Sequence, residues 1–139
     1  MNSIRVNTLG IIKQADKLLV LKGIDPASQQ VFYRLIGGGV EFGEHSTEAL
    51  NREIMEEIGT TVENLVFVKV MENVFSYDGK TGHEISFIYE IELGDKDLYT
   101  KTEIPNLDKP GSFFAWISIS EEVQNKIVLY PAGVIDFLK

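Results

Sequence analysis

Hydrophobic and polar positions alternate in short blocks along most of the chain, with one long exception. Ile4 to Gly10 and Lys17 to Leu21 are short apolar stretches on either side of Gln14-Ala15-Asp16, and predict two strands joined by a turn. A polar loop, Asp25 to Gln30, leads to the β-branched and aromatic run Val31 to Ile36, a third strand that enters Gly37-Gly38-Gly39. Ser46 to Ile58 breaks the rhythm. Leu50, Ile54 and Ile58 recur every four residues and predict an amphipathic helix, with Ser46 as N-cap and Gly59 at its end.

Beyond the helix the two-residue period returns. Leu65 to Val70 is strongly β-forming. Ile85, Phe87, Tyr89, Ile91 and Leu93 are spaced every second residue and predict a strand with one buried face, reached through a turn at Asp78 to Gly82. Gly94 to Gly111 reads as a long loop, and Phe113 to Ile117 as a last strand. Ser118 to Glu121 has capping-box spacing ahead of a short helix, and Pro131 is placed to open a terminal one. Strands, a helix, more strands and then helices predict a mixed sheet covered by helices, not a regular βαβ repeat.

Composition narrows the function. The 139 residues suit a single domain, 1–139, without repeats or linkers. The chain has no cysteine, which removes disulfides, thiolate metal sites and a cysteine nucleophile. No apolar run approaches the roughly 18 residues of a membrane span, so neither a membrane nor a secretory route is expected, and the cytoplasm is the expected location. Thirteen Lys and Arg against 21 Asp and Glu give a net charge of -8. A nucleic-acid polymer is therefore a poor partner, and a small phosphorylated substrate would need cations to offset the repulsion.

The helix carries the chemistry. At about 100° per residue, Glu53, Glu56 and Glu57 share one edge beside the apolar stripe. Like charges four residues apart, and anions in a helix's last turn, both work against stability. Oxygen ligands clustered without His or Cys suit Mg²⁺, or Mn²⁺, over Zn²⁺. A solvated acidic face is the alternative for the helix taken alone.

Taken with the glycines, the segment resembles the Nudix box. Gly38, Glu44, Arg52, Glu53, Ile54, Glu56, Glu57 and Gly59 stand at the spacing of that pattern, and Thr60 replaces its final aliphatic residue. A chance match of the fixed positions has odds of about one in a million. The resemblance covers Gly38 to Thr60 and implies an α/β (α+β) fold, a Nudix-type α/β/α sandwich around a mixed central sheet. It also implies a Mg²⁺-dependent pyrophosphohydrolase cleaving a nucleoside diphosphate linked to another moiety, by attack of water at phosphorus. A Nudix domain that binds a nucleotide without cutting it is the alternative.

By the same resemblance, Glu53, Glu56, Glu57 and the Gly37 carbonyl are the expected metal ligands. Glu53 is the favoured general base, and Arg52 is expected to orient carboxylates by pairing with Glu44 or Glu56. Arg34, Gly38, Gly39, Tyr77 and Glu103 are candidate substrate contacts, with Asp108 a further acid on the long loop. His45 and His83 are read as incidental. The expected partner is a small nucleotide derivative; a homodimer, and the substrate subgroup, are left open.

Overall fold

The computed structural model describes residues 2–120 and 127–138. Among the described residues are ten strands and one long helix: β1 (Arg5–Ile11), β2 (Lys13–Gln14), β3 (Lys17–Ile24), β4 (Val31–Arg34), β5 (Ile36–Gly39), α1 (Ser46–Glu57), β6 (Val62–Tyr77), β7 (Lys80–Leu93), β8 (Glu103–Pro105), β9 (Phe113–Ser118) and β10 (Val128–Tyr130). The strands form two mixed sheets. One has the order β5-β1-β7-β6; the other runs β10-β4-β3-β9-β8, with β2 attached to β3. β1 is parallel to β7 and antiparallel to β5, and β10 is parallel to β4. The mixed α+β class expected from the sequence is therefore the class observed. The short helix expected after Ser118 was placed on a segment of which 121–126 lie outside the described residues.

The expected strand Val31 to Ile36 is two strands. The chain leaves one sheet after Arg34 and joins the other at Ile36, with the fully buried Leu35 as the joint. Leu35 N–H donates to the carbonyl of Tyr130 at 3.2 Å and holds the joint against β10. The glycines that follow are not a turn. Gly37, Gly38 and Gly39 lie opposite Leu9, Thr8 and Asn7 on β1. Glycine is required at Gly37 because an ideal Cβ there would stand 1.9 Å from the Thr8 carbonyl oxygen.

The apolar stripe of α1 does what its period implies. Leu50 and Ile54 are completely buried and Ile58 nearly so, in a core shared with Leu19, Ile36, Tyr89, Ile91 and Phe114. A second core holds Leu9, Ile11, Leu18, Val20, Leu35, Ile88 and Leu129. The two cores explain a departure from the expected pattern in β7. Tyr89 and Ile91 enter one core and Ile88 the other, so this inner strand is buried on both faces in its middle.

Several element boundaries also differ. The N-cap of α1 is His45, because Ser46 already has helical backbone and its hydroxyl pairs with Tyr89 Oη. Glu48 Oε1 reaches back to accept from His45 N–H at 2.9 Å, which caps the helix without the serine. Gly59 ends the helix as expected, in the left-handed region at φ 81°. β6 is far longer than Leu65 to Val70, and its turn to β7 is only Asp78-Gly79, both at positive φ, 52° and 72°, as a tight hairpin requires. The long loop contains a 3₁₀ turn at Lys96–Thr100 as well as β8. Pro131 opens no terminal α-helix: a 3₁₀ turn, Val134–Phe137, begins after Gly133.

Candidate active site

The side chains of the Gly38 to Thr60 segment are organised around Arg52. Its Nε and Nη2 donate to Glu44 Oε2 and Oε1 at 2.8 and 3.0 Å, a two-pronged pairing. Nη2 also donates to the Gly39 carbonyl at 3.0 Å, which ties the helix to β5. Nη1 donates to Glu53 Oε1 at 2.9 Å and reaches the Glu56 carboxylate only at 3.5 Å. Between the two partners anticipated for Arg52, Glu44 is the closer. These bonds hold the Glu44 carboxyl down to about 2, helped by the Glu41 N–H that donates to it, and raise the Arg52 pKa.

Glu53 projects onto the glycine strand. An ideal Cβ on Gly38 would lie 2.3 Å from Glu53 Cδ, so the missing side chain of Gly38 is the room the carboxylate occupies. Glu56, one turn on from Arg52, is the more exposed partner.

Glu57 is different. It is only 6% exposed, and its Oε1 has no hydrogen-bond partner. Burial pushes its carboxyl up to about 7; the Arg34 guanidinium opposes that rise, and the charges of Glu53, Asp108 and Glu56 add to it. A buried carboxylate oxygen left bare is costly unless something binds it. Among the described residues no three His, Asp or Glu side chains converge into a ready metal cluster, and Glu53 is paired with Arg52. The donor set still suits a hard cation, since it offers carboxylate oxygens, one of them unpartnered, and no nitrogen or sulfur.

Beside Gly37 and Gly38 opens a cleft of about 1020 Å³. Arg34, Tyr77 and Glu103, all anticipated as substrate contacts, line it, while Gly39 stands just outside the lining. Asp108 stays within electrostatic reach of Glu57, and the Leu107 N–H beside it donates to the Glu57 carbonyl at 2.8 Å. His83 pairs with Glu72 at 2.9 Å, and His45 caps α1. Phe32, Phe75 and Tyr130 also line the cleft. The sequence reading passes over these three; the signal for two of them is a glycine inside a strand, Gly23 and Gly82, where a ring lies down across the backbone.

The hydroxyl of Thr60 accounts for the one departure from the box pattern. Thr60 is 95% covered, yet its Oγ1 accepts from the Asp95 N–H at 2.8 Å, a contact no aliphatic residue could make.

These features define a class. Two mixed sheets carry a helix that sets Arg52 and Glu53 against a glycine strand, with Glu56 and Glu57 following on the same helix. The family profile of the NUDIX domain matches residues 1–135, and the chain belongs to that family. Solved structures agree in fold. The MutT NUDIX hydrolase of Burkholderia pseudomallei is 20% identical over 86% of each chain, with a TM-score of 0.64. A NUDIX hydrolase from Nitrosomonas europaea is 22% identical over 98% of this chain and 86% of its own, with a TM-score of 0.62. An ADP compounds hydrolase is 19% identical, over 86% of this chain and 62% of its own, with a TM-score of 0.59. Among the described residues, no helix is long and apolar enough to cross a membrane.

Proposed function

We propose that residues 1–139 act as a single Mg²⁺-dependent hydrolase, Mn²⁺ substituting, on a nucleoside diphosphate linked to another moiety, in the cytoplasm. The observation that carries this reading is Glu57, a buried carboxylate whose Oε1 has no partner and which feels the charge of Arg34, a residue of the cleft lining. Glu53, Glu56, Glu57 and the Gly37 carbonyl would hold the cation, which supplies charge neutralisation of the diphosphate and an acidified water. The chain's own residues do the rest. Arg52 keeps Glu53 against Gly38 through Oε1, and the other oxygen, Oε2, accepts the proton of the attacking water. Glu44 stays ionised and fixes the plane of the Arg52 guanidinium. Arg34 lies in the cleft lining and binds a phosphate oxygen, supplying one of the few positive charges a chain of net charge -8 can bring to its substrate.

The test is product release from a panel of nucleoside triphosphates, dinucleoside polyphosphates, nucleotide sugars and ADP-ribose, with Mg²⁺ or Mn²⁺. Turnover of one class that stops with chelator is the expected result. Tight binding without turnover across the whole panel would replace the hydrolase with a nucleotide-binding module.

A further inference from the structure

Strands β1, β7 and β6 lie side by side, and alternation sends their side chains to two faces. Arg5, Asn7, Asn73, Phe75 and Glu84 point to one face and line the cleft. The other face carries α1, and the register shows where the helix stops covering it. Thr8 is opposite Phe87, and Phe87 opposite Val70. Thr8 Oγ1 donates to the Ser46 carbonyl at 3.0 Å, which ties the start of the helix to this row. The next row outward is Val6, Ile85 and Glu72. Beyond it His83 faces Val74, and Ile4 is on the same side of its strand as Val6. Phe67 extends the face in the other direction, its ring 5.6 Å from that of Tyr89.

This face is apolar and open. Val74 is 66% exposed and Ile4 57%, and Val6, Phe67 and Val70 are exposed as well. None of the five belongs to either apolar core. A single exposed valine needs no explanation, but five large apolar side chains on one face of three adjoining strands do. Together they offer on the order of 400 Å² of apolar surface, the size at which a contiguous patch marks an interaction site. That is about half of the roughly 800 Å² per partner that a specific interface covers.

The face is also nearly uncharged. Among the described residues that the register sets on it, Glu72 is the one acid, and it pairs with His83 at 2.9 Å. The whole chain carries -8, so two copies repel each other over most of their surfaces. Here that repulsion is weakest. A flat apolar sheet face also fits another of its kind, since sheets pack face to face about 10 Å apart. Two-fold symmetry lets the same patch serve both partners.

We propose that two copies of this chain pack the outer faces of β1, β7 and β6 against each other, with Val6, Val70 and Val74 in a two-fold interface. The cleft opens on the opposite face of the same strands, so both clefts stay accessible in the dimer.

Sedimentation velocity at micromolar concentrations tests this, and wild type should sediment as a two-chain particle. Val70→Lys and Val74→Lys should each raise the dissociation constant at least about tenfold, because a two-fold contact buries each new charge twice. Val31→Lys, at an exposed position on the other sheet, should leave it unchanged. Val74→Thr keeps the shape of valine and should weaken the dimer in the same direction without a charge. Melting at a dilution where wild type is monomeric should place all these variants close to wild type, which separates lost contact from lost fold. A wild type that remains a single chain throughout the range would overturn the interface and leave the face to a different partner. A dimer as tight in both Val70→Lys and Val74→Lys as in wild type would overturn it too, since the contact would then lie elsewhere. So would equal weakening by Val31→Lys. No substrate or metal enters the measurement, so its outcome is separate from that of the hydrolase reading.

Discussion

Gly38 and Glu53 share one volume: the carboxylate of the glutamate fills the space a side chain on the glycine would take, its two oxygens each 2.6 Å from the ideal Cβ position. The blocking group is the flexible end of a side chain, so Gly38→Ala should displace Glu53 and leave the fold intact. Turnover should fall at least tenfold, about 1.4 kcal/mol of transition-state stabilisation, while the melting temperature stays within a few degrees. Gly37→Ala should do the reverse of sparing the fold, since its Cβ would meet the Thr8 backbone at 1.9 Å. Equal melting losses in the two variants would refute this assignment.

Glu57 makes stability depend on pH in a definite direction. Its folded pKa, about 7, lies above the ordinary 4.5, so the native state binds a proton more tightly than the unfolded chain. Metal-free stability should therefore fall as pH rises from about 4.5 to about 7 and level off above that. The full shift corresponds to about 3 kcal/mol. Glu57→Gln removes the titration, so the metal-free variant should gain on metal-free wild type between pH 5 and pH 8. Thermal melting across that range checks it, and a constant difference would mean the buried charge is not what costs stability.

The same substitution should lower turnover by at least two orders of magnitude, because it removes a ligand charge where transition-state charge develops. Mg²⁺ at a hundredfold excess over Kd should stabilise wild type by about 2.7 kcal/mol and Glu57→Gln much less. Melts with and without Mg²⁺ at fixed ionic strength make the comparison. An equal response in the two proteins would place the cation elsewhere.

Arg52→Lys keeps the charge and loses the fork. A lysine cannot hold Glu44 through two parallel bonds while also reaching Glu53 and the Gly39 carbonyl. Activity or metal affinity should drop about 10- to 100-fold, measured by Mg²⁺ titration of the rate. A variant indistinguishable from wild type would reduce Arg52 to a solvated helix arginine.

Leu50→Ala separates packing from chemistry. Leu50 is completely buried in the core beneath α1, so its truncation should cost about 2–5 kcal/mol. Turnover per folded molecule should persist, as seen in rate measurements well below the melting temperature.

What could be read from the chain was what local spacing encodes. Leu50, Ile54, Ile58 and Gly59 define the helix and its end within one stretch, and the box residues sit on it at fixed offsets. The carboxylates and Arg52 could be named for that reason. Features that depend on distant partners stayed hidden. The glycine run looks like a turn until β1, some thirty residues earlier, is laid against it. His45 as N-cap was foreshadowed only by Glu48 three residues on. The ring cluster needs the β3–β4 and β6–β7 registers, which place Gly23 under Phe32 and Gly82 under Phe75. Arg34 could be suspected from its nearness to the glycines, but its influence on Glu57 is a matter of tertiary approach.

Leu35 has a consequence for substrate length. Phe32 and Arg34 belong to one sheet and Gly37 and Gly38 to the other, and this single buried residue sets the interval between them. The fold is in effect a gauge, with one jaw on each sheet. A substrate bound as proposed, with Arg34 on one phosphate oxygen and the reacting phosphorus beside the glycines, would meet one jaw and miss the other if its linking atoms did not match that interval. Were the proposed substrate held at both places, discrimination among phosphate chains of different length would be a property of how the two sheets are joined, with no side chain in the cleft having to count.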